Sequence, residues 1–388
     1  MWDSTPEAMF CLAAWLSILL LVHAYLIFPL TMMLLGFARQ HSVSTSSPSV
    51  SLIIPAFNEE VVIEEKIKNS LAIDYPNLEI IVASDGSQDR TAEICKKHKD
   101  IRLLDFKQRR GKASAIVDAV NASIGELTCL CDANVMFRPD ALQRLVNKMS
   151  VDVGAVTGDV RLDSSSTSFG LAEAAYYQLE RRVQQGESAL GSVVGVDGGM
   201  YLVRRAFVGD LPPDTVLDDF TISMYVLRSG MKVLYEPAAI ADENATESAL
   251  SEYRRRTRIG RGAAQLLKRG VFPKATQPIR MGLFVSHKLL RWLSPFLLLV
   301  LLVSCVGLVS LNGAYWPLLL PWLVTGALAV LGVFVLSARK SMVIAAPFYF
   351  AFSQIAFGWG FVHGLMFSPS GVWVRSERQK FVDQRPGT

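Results

Sequence analysis

Three polar clusters follow short apolar runs in the first third of the chain: Pro55-Ala56-Phe57-Asn58-Glu59 after Val50–Ile54, Asp85-Gly86-Ser87 after Glu79–Ser84, and Asp132-Ala133-Asn134 after Leu127–Cys131. Taken singly, Asn58 and Asp85 are ordinary capping and turn residues. Asp132 is different, because it closes an apolar strand where a carboxylate is costly unless it meets a cation or a donor. Hard cations such as Mg2+ or Mn2+ take oxygen ligands, so Asp132, helped by the carbonyl oxygen of Asn134, is placed to hold a metal that bridges a diphosphate. Arg109-Arg110-Gly111-Lys112 opens a helix, where free amides, the helix dipole and Lys112 all favour a phosphate; a solvated basic turn is the plain alternative. Asp218 and Asp219 begin another amphipathic segment, and a carboxylate beside an acceptor hydroxyl can take its proton as the oxygen attacks. The cationic stretch Arg254-Arg255-Arg256, Arg258, Arg261, Lys268 and Arg269 suits a basic amphipathic helix on anionic lipid, an inward arginine that pairs with diphosphate, or both.

These residues need a scaffold that converges them. Val50–Ile54 reads as a strand, and Asn58 caps the helix that follows it, with Glu59 and Glu60 in the first turn and Ile63, Ile67 and Leu71 on one face. The unit recurs as strand Glu79–Ser84, helix Thr91–His98, strand Ile101–Leu104, helix Lys112–Ser123, strand Leu127–Cys131 and a helix opened by Pro139. Such alternation makes an α/β, mostly parallel Rossmann-like sheet, which binds ligands outside the carboxyl ends of its strands.

Composition sets the surroundings. With 51% hydrophobic and 19% charged residues and a mean hydropathy of +0.31, part of the 388-residue chain belongs in lipid. A net charge of +4 over this length gives no case for nucleic acid. Residues 10–37 carry no charged side chain and read as a retained transmembrane helix rather than a signal peptide, since Asp3 and Glu7 stand where a basic leader would. With Arg39 just after it, the positive-inside rule places the following domain in the cytosol. Residues 292–374 form about three further segments, the first two split at Leu311-Asn312-Gly313 and turning at Arg339-Lys340. The third is either re-entrant or breaks the charge rule, because Arg375, Arg378 and Lys380 follow it. The chain thus divides into the helix 10–37, a Ser/Thr-rich linker, a globular domain 48–248, basic interfacial helices 249–291, the membrane region 292–374 and a basic tail 375–388.

In this order the pieces resemble the membrane-bound family 2 glycosyltransferases of the cellulose synthase and hyaluronan synthase superfamily, whose catalytic domain has the GT-A fold. The resemblance implies that Pro55, Asn58 and Glu59 in PAFNEE and Asp85 in SDGS line a nucleotide pocket with Lys112 nearby. Asp132 in CDAN stands for the first acid of the family's DxD motif and Asn134 replaces the second. Asp219 in LDD matches the catalytic base, with Asp218 beside it, and Gly198-Gly199 in VDGGM lie near the acceptor. Arg255 to Ile259 fall where processive members carry Q-x-x-R-W, so Arg258 becomes the diphosphate-binding arginine and Arg255 replaces Gln. Ile259 in place of Trp has no flat face for a sugar and argues against processive polymerisation.

The expectation is therefore an inverting, metal-dependent transferase that moves a hexosyl or N-acetylhexosaminyl group. It would work in the inner or plasma membrane, from a nucleotide-diphosphate sugar, UDP-linked by preference, to a hydroxyl of a lipid-linked or growing glycan. The alternatives are a polyprenyl-phosphate acceptor, which needs no strong base, and a non-catalytic subunit for polysaccharide assembly or export. Tyr176, Tyr177 and Glu180 face either the acceptor cleft or the sheet, and Cys129 and Cys131 read as core thiols.

Overall fold

The computed structural model describes residues 6–36, 47–163, 168–244, 249–335 and 341–367. Asp3, Arg39, most of the Ser/Thr-rich linker, Arg339-Lys340 and the basic tail lie outside the described residues. The chain enters through α1 (Pro6–Val22), a π-helical turn His23–Ile27 and α2 (Phe28–Leu35). The domain then runs β1 (Val50–Ala56), α3 (Ile63–Leu71), β2 (Leu78–Asp85), α4 (Thr91–Cys95), β3 (Arg102–Phe106), α5 (Lys112–Ala122), β4 (Leu127–Cys131), β5 (Val135–Phe137) and α6 (Ala141–Asn147). It continues through β6 (Val153–Asp163), α7 (Ser168–Ala189), β7 (Met200–Arg204), α8 (Asp218–Ser229) and β8 (Lys232–Asn244). Five helices follow: α9 (Ala249–Lys268), α10 (Pro278–Phe284), α11 (Leu290–Leu311), α12 (Leu320–Phe334) and α13 (Met342–Met366).

The eight strands form one sheet in the order β3-β2-β1-β4-β7-β6-β8-β5. The half from β3 to β4 is parallel, as the strand-helix alternation requires, but β7 runs antiparallel to both β4 and β6, and β5 pairs antiparallel with β8. That reversal places the site. Met200 at the start of β7 pairs with Cys131 at the end of β4, so residues just before β7 reach the same edge as residues just after β4.

β1 is buried along its whole length, and its alternation feeds two cores. Leu52 and Ile54 pack with Ile63, Ile67, Leu142 and Leu145 on one face. Ile53 packs on the other with Ile116, Tyr201 and Met224, in a core continuous with Phe28, Met32, Trp292 and Phe361 of the apolar helices. The domain and those helices thus share one dry interior. Among the described residues, four helical stretches are long and apolar enough to cross a membrane: Pro6–Leu35, Pro278–Leu311, Gly313–Phe334 and Met342–Met366. The break at Asn312 is as the sequence suggested, with its side chain accepting from Ala314 N. The third C-terminal segment is one continuous helix with Pro347 inside it, so its described residues contain no re-entrant reversal.

Three local expectations change. Asn58 does not cap a helix: its backbone is left-handed (φ 55°) and α3 begins only at Ile63, with no side-chain cap. Ile63 and Ile67 are buried as expected while Leu71 is exposed. The basic helix α9 is not a free amphipathic surface either, since it runs beside α13 in the same direction. Tyr349 Oη donates to Glu252 near their starts, and Lys268 Nζ donates to Leu365 O at their ends. Small residues permit this approach: a Cβ on Gly360 would collide with Thr257 O, and one on Gly260 with Phe357 O.

Candidate active site

The first two polar clusters form a single cross-linked rim. Asn58 Oδ1 accepts from Gln88 N at 2.8 Å, Asn58 N donates to Ser87 Oγ at 3.2 Å, and Glu59 N donates to Thr91 Oγ1 at 2.8 Å. Asp85 is almost wholly buried and spends both oxygens on the basic loop, accepting from Arg110 N and Gly111 N at 2.8 Å each. In this structure Asp85 therefore shapes the loop that opens α5. Gly86, at φ 68°, packs so closely on that loop that a Cβ would lie 2.6 Å from Arg109 N. The Arg109 guanidinium covers the Phe57 ring at 3.5 Å, joining the basic loop to the PAFNEE turn.

At the centre stands Lys112. Its ammonium lies 2.9 Å from Asp132 Oδ1 and 3.3 Å from Asp218 Oδ2. Burial alone would lower its pKa, but the surrounding Asp132, Asp218 and Asp219 outweigh burial and hold it firmly charged. One lysine cannot neutralise three carboxylates. Asp219, half-buried beside Asp218, is pushed up to about 6 by desolvation and by that neighbour's charge, against the pull of Lys112, the Phe220 amide and Arg258. A Cβ on Gly198 would sit 2.8 Å from Asp219 Oδ2, so the Gly-Gly turn borders this carboxylate. Pro55, Lys112, Gly198, Tyr201 and Asp218 line one recess, and the buried Tyr201 hydroxyl has no hydrogen-bond partner among the described residues.

Next to Lys112 lies the Asp132-Ala133-Asn134 turn. Asn134 is buried, its Nδ2 donates to Glu243 Oε1 at 2.8 Å, and its Oδ1 is without a hydrogen-bond partner. A partly exposed carboxylate and an unsatisfied carbonyl oxygen two residues apart fit a hard divalent cation. Among the described residues no cluster of three or more His, Cys, Asp or Glu could hold a metal alone. A cation here would complete its shell from water and substrate phosphate, as Mg2+ commonly does.

Residues 51–210 match the model of glycosyl transferase family 2. The chain carries a family 2 glycosyltransferase domain. The poly-β-1,6-N-acetyl-D-glucosamine synthase of Staphylococcus epidermidis is 26% identical over 233 residues, 58% of this chain and 57% of the relative. The synthase of the same description from Staphylococcus aureus is 28% identical over 233 residues, 58% of this chain and 56% of its own. The chain thus spans a little over half the length of these relatives. A mannosyltransferase from Pyrobaculum calidifontis, solved with GDP-mannose and Mn2+, superposes with a TM-score of 0.68 at 21% identity, covering 89% of this chain and 99% of that one. That likeness is one of fold, and it supports GT-A for the glycosyltransferase domain.

Other residues around the site differ from the sequence reading. Arg255, expected at the diphosphate, is engaged by Glu252 at 2.5 Å and by Tyr177 Oη at 2.7 Å. Arg258 lies nearer the acidic pair: its Nη1 donates to Val216 O at 3.4 Å and its charge acts on Asp219. Tyr176, Tyr177 and Glu180 of α7 meet basic side chains of the helices that follow the sheet. The two tyrosines meet Arg255 and Arg256 of α9, and Glu180 meets His287, Lys288 and Arg291.

Sequence reading also missed several residues of the domain. Gln265 of α9 donates to Asp214 O and accepts from Val216 N, gripping the loop that delivers Asp218 and Asp219. Arg181 holds Asp197 and lies 3.3 Å from Asp159, while Asp197 Oδ1 accepts from Gly199 N and so shapes the turn beside Asp219. Glu243 meets Asn134 from 109 positions away. The Asp before Gly198-Gly199 was the one local signal; the others carry none.

Proposed function

We propose that this chain is an inverting glycosyltransferase of the membrane, transferring an N-acetylhexosaminyl group from a UDP-sugar to a hydroxyl of a lipid-linked or growing glycan. The observation that carries the reading is Asp219: a half-buried carboxylate poised at about 6, bordered by the Gly198-Gly199 turn, in one charge cluster with Lys112 and Asp132. A base tuned near neutrality suits deprotonation of a hydroxyl, whereas a polyprenyl phosphate acceptor would not need it. The description of the staphylococcal relatives supports N-acetylglucosamine as the sugar and a polysaccharide as the product class.

In this reading Asp219 takes the acceptor proton as the hydroxyl attacks the anomeric carbon from the face opposite the leaving nucleoside diphosphate, so one displacement inverts the centre. Lys112 and Arg258 place positive charge where the diphosphate departs. A divalent cation held by Asp132 and Asn134 would add a Lewis-acid charge to the same phosphates. The rim of Pro55, Asn58, Glu59 and Asp85 shapes the nucleoside end of the pocket, and Asp218 keeps Lys112 in place. We assign residues 48–248 to catalysis, on the cytosolic side where nucleotide sugars are made, and 249–374 to the interfacial and membrane part.

The test is nucleoside diphosphate release by the full chain in lipid, across UDP-, GDP- and dTDP-sugars with Mn2+ or Mg2+, alongside Asp219→Asn. Release from one donor, lost in the variant, supports the transferase. Nucleotide binding without release in the presence of lipid and glycan acceptors would favour an assembly or export subunit.

A further inference from the structure

The candidate metal-binding turn has one acid and one amide where two acids would be expected, and a domain of this kind must make up the missing charge or do without it. We propose that Glu243 makes it up: its carboxylate, delivered by β8, orients and polarises Asn134 so that Asn134 Oδ1 acts as the second oxygen ligand of the divalent cation. This rests on the metal-dependent reading of the site.

The hydrogen bond fixes which way the amide points. An ionised carboxylate only accepts, so the NH2 of Asn134 must face Glu243 and Oδ1 must face away from it. That oxygen is buried and has no hydrogen-bond partner among the described residues. An unsatisfied buried acceptor costs about 1–3 kcal/mol, so the protein maintains a position that a ligand would relieve. Charge-assisted bonds to carboxylates are stronger than neutral ones, and donation from one end of an amide raises electron density on the oxygen at the other. Glu243 thus reaches the metal position through Asn134 and is a positioning residue.

Sheet register makes the pairing. Glu243 is the partner of Val135 in the β5–β8 ladder, which sets its side chain beside the residue preceding Val135. β5 is itself pinned from the other side. The fully buried Lys66 donates to Val135 O at 2.5 Å, and Asn69 both donates to Phe137 O and accepts from Phe137 N. The turn carrying Asp132 and Asn134 is therefore held at both ends, with Lys112 on Asp132 and Glu243 on Asn134.

The experiment is a Mn2+ titration of the purified full chain in lipid nanodiscs, following free Mn2+ by its paramagnetic resonance signal, without nucleotide and with saturating UDP. Wild type should bind saturably. Glu243→Gln keeps an acceptor for Asn134 but loses the charge, and should weaken Mn2+ about tenfold; Glu243→Ala should weaken it by about 10–100-fold, the range for losing an outer partner of a metal ligand. The exchange Asn134→Asp with Glu243→Gln preserves the hydrogen bond with donor and acceptor reversed and moves the carboxylate into contact with the metal, so affinity should return to at least that of wild type. A strand-bracing role alone would lower the melting temperature of Glu243→Ala while leaving Mn2+ affinity unchanged in every variant. That result, with wild type binding normally, overturns this inference and leaves the transferase reading intact. Absence of saturable Mn2+ binding by wild type would overturn both. If Glu243→Ala fails to fold, the charge-removing and exchanged variants still decide the matter.

Discussion

Two charge clusters are linked through consecutive residues of α7, and the same physics drives their carboxylates in opposite directions. At the sheet edge, three acids share Lys112, and burial together with Asp218 pushes Asp219 up to about 6. Where α7 meets the apolar helices, Glu180 is likewise half-buried, yet it faces His287, Lys288 and Arg291 at 2.7–2.9 Å. Those three charges outweigh burial and hold Glu180 well below the usual carboxylate range. Burial costs both groups, so the count of neighbouring cations decides the sign. The inner cluster is matched and acts as a clamp, with Glu187 closing on the second nitrogen of His287. The outer cluster is deliberately short of cations, which is how a base near neutral pH is made. The two are joined through consecutive residues: Glu180 points into the clamp, and Arg181 reaches Asp159 and Asp197 beside the Gly-Gly turn.

Removing a carboxylate should therefore have opposite consequences in the two clusters. Asp219→Asn should lower transfer by about 10²–10⁴-fold, the range for a lost general base, while the fold and nucleotide binding stay intact. An unaltered rate would break the assignment of the base. Glu180→Gln should instead strip the clamp of its shared partner and leave the largely enclosed Lys288 and Arg291 without their carboxylate, costing about 3–5 kcal/mol of stability. Thermal unfolding in lipid reads that loss, and a near-normal melting temperature would show that the clamp is not structural.

A subtler change probes the geometry around the base. Gly198→Ala would put a methyl group 2.8 Å from Asp219 Oδ2, forcing the carboxylate or the turn to shift. Displacements approaching 1 Å near reacting atoms cost about 100-fold, so a drop in kcat of roughly 10–100-fold with little change in donor KM is expected. Equal kcat in the variant would place the acceptor elsewhere.

The smallest effect is in pH dependence, and its sign separates the clusters. With Asp219 at about 6, transfer should rise as pH climbs through about 6 and level off above it. Because this folded-state value lies above the ordinary carboxylate value of about 4, the native protein holds the extra proton. The stability it contributes is full at low pH and declines as pH rises toward 6. Glu180 behaves in reverse: its contribution is present above the ordinary carboxylate value and is lost as pH falls below it. Melting curves of Asp219→Asn and Glu180→Gln across pH should diverge from wild type in these opposite windows.

Much of the site was legible because it is local. β4 spans the residues its apolar run marks, α5 opens at Lys112 after a glycine, and Asp218 and Asp219 stand in the first turn of α8. Asp85 and Asn58 were found at the right edge, but their partners were not, because a loop's hydrogen bonds depend on which other loop lies against it. Arg255 shows the same limit. A run of arginines looks alike in sequence, and only the buried Glu252 and the tyrosines of α7 separate Arg255 and Arg256 from Arg258.

The sequence by itself determined the period of the strands and helices, the apolar spans, and the acids and lysine at the strand ends, since these follow from side-chain size, polarity and nearest neighbours. The tertiary structure decided what each charge does. The reversal at β7 brought Gly198 to Asp219, the β5–β8 register brought Glu243 to Asn134, and the packing of α7 on the apolar helices gave Glu180 three basic side chains. Electrostatic energy depends on distance and burial through space, and neither can be read along the chain.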